Sequence, residues 1–450
     1  MPETHGRITR RSLLKASAVG GLGLALTPLL EACASGSGST KSGTVTLNVW
    51  MVTEPSRTWI QDKMVSEFQK KFPDIKLNIT KSDFTTYYQK LTTNMAAGTT
   101  PDVFMMSGAY FYQAAHLNAL HELDSFMKKD KISLDDYFAE PSGEDEIWRG
   151  KTFGIPGEID VLGLAYNKDM FDDAGIKYPD ETWDWAQLLD AAQKMTKKRG
   201  GKDYYGFYSQ NSGQEMWGNL LVQNGGSFLN EDLTKGALDN PAGIEAIQFA
   251  VDLIRKYKVS PSSQGVSSLP GYIQSSGNPF LTGLIGMKFQ GNYEMALLSD
   301  IKGFNWDVAP MPRQKVNSGL GWFQSWVMGS HTQHPDEAWE LLKFFVTEGQ
   351  TITASSPGRG LTPALKSAAS SADFVRTAPP SITSWLTSWD SHGSFGFHPA
   401  WFEYQAAYSS PLDAAFAGTS SVKDAIAKAT PAVNAALQKY SWFSSTSVKG

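Results

Sequence analysis

Val45-Thr46-Leu47-Asn48-Val49-Trp50-Met51-Val52 is apolar and rich in β-branched residues, and it reads as a strand. Directly after it, residues 57–72 place Ile60, Met64, Val65, Phe68 and Phe72 on one helical face, and Pro73 ends the run. Lys76-Leu77-Asn78-Ile79-Thr80 then alternates in the manner of a second strand. Strand, amphipathic helix and strand form a β-α-β unit, so an α/β fold containing a parallel sheet with crossover helices is expected. Further along, Asn240-Pro241 supplies a cap and a first-turn proline to a helix carrying Ile244, Ile247, Val251 and Ile254. Pro335 opens another, with Ala338, Leu341, Leu342 and Phe345 on its apolar face. Residues 259–279 are rich in Ser, Gly and Pro and read as irregular. The chain of 450 residues contains no internal repeat and exceeds what one core supports, so two domains are expected.

Upstream of the first strand the sequence changes character. Arg10-Arg11 precede an uncharged stretch, residues 16–30, that is shorter than the roughly 20 residues a membrane span requires. The segment resembles a twin-arginine export signal, an address rather than an anchor. Leu30-Glu31-Ala32-Cys33 resembles a lipobox, in which Cys33 is lipidated and becomes the mature N-terminus; Glu31 departs from the small or apolar residue usual there. Cys33 is the single cysteine, so no intramolecular disulfide is available and stability must come from packing. Residues 34–44 form a Gly/Ser linker. The expected organisation begins with a signal peptide over residues 1–32 and a flexible linker over 33–44, ahead of a body tethered to the membrane by its lipid. A formal charge of −5 on the whole chain, with both signs interspersed, argues against nucleic acid as a partner.

Catalytic and metal signatures are missing. No serine sits in a G-x-S-x-G elbow and no H-E-x-x-H occurs. Gly150-Lys151-Thr152 ends like a phosphate-binding loop, but Asp145 stands where its first glycine belongs. His331 and His334 read as loop residues ahead of the Pro335 helix, and the seven scattered histidines give no metal constellation. The expectation is a protein without cofactor or metal and without enzymatic activity.

The chain carries 14 tryptophans. Each offers a broad apolar face and one N–H donor, which suits the C–H face of a sugar ring. Trp59, Trp183, Trp185 and Trp339 stand on helices or helix starts and read as core. Trp217 (QEMWGN), Trp322 (GLGWFQ) and Trp401 (FHPAWFEY) stand among polar or loop-like residues and read as ligand contacts.

Several ordered segments resemble one family. Ala96-Ala97-Gly98-Thr99 with Pro101-Asp102-Val103, Gly150-Lys151-Thr152-Phe153-Gly154-Ile155-Pro156, and residues 164–171 (LAYNKDMF) are similar to landmarks of extracellular solute-binding proteins of carbohydrate ABC importers. So are Thr182-Trp183-Asp184, Asn224-Gly225-Gly226, residues 280–287 (FLTGLIGM) and Ala309-Pro310-Met311-Pro312. The resemblance implies the type II periplasmic-binding-protein fold: two discontinuous α/β lobes joined by hinge strands, with ligand in the cleft. It places crossings near 158–162, near 322–327 and around 374–381. One lobe would comprise residues 45–160 with 325–375, the other 161–324 with 376–450.

The resemblance also carries site residues. Asp160, seven positions before Asn167, matches a ligand-facing acid of the hinge strand in maltose-binding protein, and a hinge-bonding role is the alternative. Asn292-Tyr293 falls in a loop whose aromatic stacks on sugar; tyrosine keeps a smaller stacking face. Trp217, Trp322 and Trp401 are expected to line the cleft. After Pro-Asp-Val, Ser107 and Tyr110 replace the charged pair that grips maltose, and Glu54 follows the first strand at a cleft edge, so a ligand other than maltose is implied. Arg359, in residues 357–363 (PGRGLTP), bonds hydroxyls or a phosphate, or ties down its loop. The implied function is capture of a sugar or oligosaccharide by a lipid-anchored, extracytoplasmic monomer that delivers it to the transmembrane subunits of a permease. Capture of a glycerophosphodiester or other polar metabolite, a secreted glycoside hydrolase and an adhesive lectin are the alternatives.

Overall fold

The computed structural model describes residues 43–138, 146–356, 361–376, 381–389, 393 and 395–446. Cys33, the export signal, the linker up to residue 42, and Arg359 lie outside the described residues. The described residues from Thr44 onward form one compact unit.

β1 (Val45–Val52) is followed by α1 (Pro55–Lys71), β2 (Ile75–Ser82), α2 (Phe84–Ala97), β3 (Val103–Ser107) and α3 (Gly108–His116). β1 lies between β2 and β3 and runs parallel to both, as the β-α-β reading requires. The Asp83 carboxylate accepts the Thr86 N–H (3.0 Å) and caps α2, and Gly98, at φ +68°, ends it. α1 starts at Pro55, two residues before the expected Arg57. Its proline needs no donor at a helix start.

A small hairpin, β4 (Ile147–Trp148) and β5 (Lys151–Thr152), precedes the central element, β6 (Gly154–Asn167), whose 14 residues are all buried. A second hairpin, β7 (Lys197–Arg199) and β8 (Lys202–Tyr204), is separate from the main sheet. β9 (Met287–Gly291), β10 (Trp306–Ala309), β11 (Gly321–Met328) and β12 (Thr362–Pro363) complete the strands. β6 changes partners midway. Its residues 154–161 pair antiparallel with β11, and Glu158 and Ile159 also pair with β12. From Leu162 onward its partners are β9 and β10. β11 continues antiparallel onto β3, so one strand order, β10-β6-β11-β3-β1-β2, runs through the body. The expected parallel sheet is therefore confined to β1, β2 and β3. The two long strands return against it, which a β-α-β pattern at the N-terminus does not encode.

Two glycines allow this central strand to be covered closely. A Cβ on Gly157 would lie 2.6 Å from Trp326 Cδ1, and one on Gly163 would lie 2.8 Å from Trp385 Nε1 and 3.1 Å from the Ala309 carbonyl. Helices Trp401–Phe416 and Val422–Gln438 pack on each other and on Pro241–Arg255. Trp183, Trp185 and Trp339 are buried as expected, whereas Trp59 is 42 % exposed, with Lys63 5.3 Å from its ring. It sits on the solvent face of α1, opposite the stripe formed by Ile60, Met64 and Phe68. Within 259–279 the chain forms a short helix, Ser263–Ser267, and a 3₁₀ turn, Gln274–Ser276. Among the described residues no helix is long and apolar enough to cross a membrane.

Candidate functional site

The site grows out of the ends of β1 and β3 and the middle of β6. In an open α/β sheet the crevice outside the carboxyl ends of the strands is the usual place for ligand. Glu54 and Arg57 follow β1 and open α1; Ser107 and Tyr110 end β3 and open α3. Glu158 and Asp160, two apart on β6, project from one face of it.

These groups meet on one guanidinium. Arg57 is 2 % exposed and donates to Glu158 (2.5 Å), to Asp160 (3.3 Å) and to Glu54. Burial works against its charge, but the three carboxylates outweigh it and hold the cation above its ordinary pKa. Asp160 receives less than it needs. Burial raises its carboxyl to about 8, against the pull of Arg57 and of the Trp322 N–H and with further upward pressure from Glu158 and Glu54. Its Oδ1 is buried and makes no hydrogen bond within the described residues. Glu158 is also raised, by burial first, with Arg57 opposing. Once all three acids are ionised, they outnumber the one cation they share.

Aromatic groups line both sides. Tyr110 stacks on Tyr88 (4.0 Å, planes 1° apart), and Phe402 lies 4.9 Å beyond it. The Tyr88 hydroxyl accepts the Ser107 N–H at 2.6 Å. Trp322 is directly opposite Asp160 across β11 and β6, with its ring 5.6 Å from Tyr293 and 5.1 Å from Phe395. Trp401 packs against Phe395, Phe397 and Phe228. Trp217 is 2 % exposed; its N–H donates to Asn211 (3.1 Å), and its ring lies between Phe228 and Tyr408. Trp217 and Trp401 both border a cavity of about 340 Å³ that is also lined by Asn211, Gln214, Phe402 and Gln405. That volume is in the range of small-molecule pockets, roughly 300–1,000 Å³.

A second polar set comes from the other half of the body. The Tyr293 hydroxyl donates to Glu215 (3.2 Å), which also accepts from Gln210 (2.7 Å), which in turn accepts from Tyr208 (3.1 Å). Lys288 pairs with Glu294 at 3.2 Å. Burial, then the charges of Glu215, Glu294 and Asp160, keeps the Tyr293 hydroxyl protonated, which ties the two polar sets to one locality.

Of the residues singled out from sequence, Glu54, Ser107, Tyr110, Asp160, Tyr293 and Trp322 are brought together around the middle of β6. Trp401 joins them through Phe395. Asn292 is placed there as a clamp: its amide donates to Ile159 O and Thr362 Oγ1 (2.8 Å each) and accepts the Val161 N–H (3.0 Å), where β6 changes partners. Trp217 reaches the cavity only as part of its wall. Arg57, Glu158 and Glu215 were missed. The spacing Glu54-x-x-Arg57 just after a first strand, and the alternation Glu158-Ile159-Asp160, were the available signals.

A sequence model described as bacterial extracellular solute-binding protein matches residues 53–352. The chain belongs to that family. A putative binding protein of Brucella abortus is 28% identical over 292 residues, 63% of this chain and 67% of its own length. The galactooligosaccharide-binding protein of Bacillus subtilis is 23% identical over 359 residues, 77% of this chain and 80% of its own. Among solved structures, an ABC substrate-binding protein of Listeria monocytogenes in complex with cycloalternan superposes with a TM-score of 0.76 at 23% identity, covering 88% of this chain and 99% of that one. The fold of this solute-binding protein is accordingly the type II two-lobe arrangement. Membership in an extracellular family places it outside the cytoplasm.

Proposed function

We propose that this solute-binding protein captures a sugar or oligosaccharide between its lobes and hands it to the transmembrane subunits of an ABC importer. The observation that carries the reading is Asp160: a buried carboxylate with an unpartnered oxygen, flanked by Trp322 and Tyr293. Sugar hydroxyls donate to such oxygens and sugar C–H faces lie on such rings. Relatives point the same way, one being a galactooligosaccharide-binding protein and one carrying cycloalternan. The lobes are residues 45–160 with 325–375 and 161–324 with 376–450. The change of β6 partners between Val161 and Leu162 supports the first boundary. Glu54, Ser107, Tyr110, Asp160, Tyr293, Trp322 and Trp401 contact ligand, Arg57 and Asn292 hold the hinge, and Trp217 supports the wall.

The protein binds without turnover. A glycoside hydrolase needs two carboxyls roughly 5–10 Å apart across the scissile bond. Glu54, Glu158 and Asp160 instead converge on one guanidinium, which supports binding over cleavage. Lipidation at Cys33 tethers the monomer at the membrane surface, the stretch 10–33 being the motif that supports it. Screening carbohydrates by thermal shift and then calorimetry tests the function: saturable one-site binding without product formation is expected, and multiple-turnover cleavage of the bound glycan would refute it.

A further inference from the structure

The carbohydrate reading leaves open which carbohydrates enter, and the charges around β6 bear on that question. From α1 come Glu54 and Arg57, and from β6 Glu158 and Asp160. β11 contributes Trp322 and Gln324, and α2 and α3 contribute the neutral hydroxyls of Tyr88 and Tyr110. From the other half come Glu215 and the Lys288–Glu294 pair. Both cations in this set are already engaged. Arg57 serves three acids at once, and Lys288 is 3 % exposed at its side chain and bonded to Glu294 and Gln290. The acids are in excess, and the unfilled valences in this set are acceptors, Asp160 Oδ1 and Gln324 Oε1.

We propose that this cluster is a charge filter: the cleft takes uncharged, hydroxyl-bearing glycans and rejects phosphorylated or carboxylated ones, glycerophosphodiesters included. The proposal rests on the carbohydrate reading above. A hydroxyl donor fills the valence of Oδ1 and lends partial positive charge to a carboxylate that lacks it. A phosphate or uronate brings only acceptors and further negative charge into a region where water cannot screen it well, and among the described residues of the set no free cation is there to receive it.

The test is isothermal titration of the exported protein with matched probes: lactose, galactobiose, maltotriose and mannobiose against digalacturonate, glucose 6-phosphate and glycerophosphoglycerol. At least one neutral glycan is expected to bind, with every anionic probe at least a hundredfold weaker than the best neutral one. In Asp160→Asn and in Glu54→Gln, titrated above about pH 8 where Asp160 is ionised, that gap should narrow about tenfold or more through tighter binding of the anionic probes, because one negative charge is gone while the shape is kept. An anionic probe binding within tenfold of the best neutral glycan, or a gap unmoved in both variants, overturns the filter while leaving carbohydrate binding intact. Failure of every saccharide, with binding of glycerophosphoglycerol or of nothing, overturns the carbohydrate reading and the filter with it.

Discussion

Arg57→Met removes the one cation that serves the cluster of three acids among the described residues. Glu158 and Asp160 are 6 % and 2 % exposed, so the change leaves two buried carboxylates facing each other without a partner. Breaking a buried ion pair by deleting one member costs about 3–5 kcal/mol. For a folding unit of about 200 residues, at roughly 2–4 °C per kcal/mol, that lowers the thermal midpoint by about 6–20 °C. The loss is smaller at pH 5 than at pH 8, because protonation relieves the stranded acids. Asp160→Asn acts differently. Glu54 and Glu158 still hold Arg57, one like-charge repulsion disappears, and the midpoint of the ligand-free protein at pH 8 stays within a few degrees or rises. Affinity falls instead, by about ten- to a hundredfold, since a charged acceptor is worth roughly 1.5–3 kcal/mol to the donors it receives. Differential scanning calorimetry at pH 5 and pH 8, with titration of the identified glycan, separates the two roles. An Arg57→Met protein as stable as wild type at pH 8, or equal destabilisation by both substitutions, would refute the assignment of Arg57 as the group that holds the hinge acids.

Three other outcomes follow from the same geometry. Asp160 and Glu158 are both raised by burial, so they bind protons more tightly folded than unfolded; the stability this confers is full below about pH 4 and is lost as pH rises through about 8. Ligand-free stability should therefore fall across that window, with a shallower slope in Asp160→Asn, and a flat wild-type profile by chemical denaturation would contradict it. Gly163→Ala forces a Cβ against Trp385 and the Ala309 carbonyl and should cost about 1–3 kcal/mol, read as a lower denaturation midpoint; a neutral result would show that the strand can yield there. Cys33→Ala should move the protein from the membrane fraction to the soluble extracytoplasmic one, and unchanged retention would sink lipid anchoring.

Much of the fold was legible because its first elements announce themselves. β1 and β2 alternate or run apolar at strand length, α1 is punctuated by prolines at both ends, and the N-cap Asn240 accepts the bond its position implies. The antiparallel half of the sheet was not readable by the same logic. β6 is buried along its entire length, so it shows no alternation, and its pairing with β11 joins residues more than 150 apart. Trp59 misled because a helical tryptophan on the solvent face looks like one on the core face when its neighbours are apolar. The site was half visible. Asp160 and Tyr293 were offered by resemblance and Trp322 by its polar surroundings, while Arg57 read as an ordinary polar residue at a helix start. Its function depends on Glu158 and Asp160, 101 and 103 residues away, which no local pattern reports. Asn292 shows the converse: it lies at the expected place, but its amide is bound to backbone and to Thr362.

The central claim is that a neutral glycan is held between Asp160 and the Trp322–Tyr293 pair. A crystal structure of the protein with the best-binding glycan from the neutral panel tests it most directly. The account predicts a ligand hydroxyl within hydrogen-bond distance, about 2.5–3.0 Å, of Asp160 Oδ1, and a sugar face against Trp322 or Tyr293. A glycan bound elsewhere, with Asp160 Oδ1 still unpartnered, would contradict it.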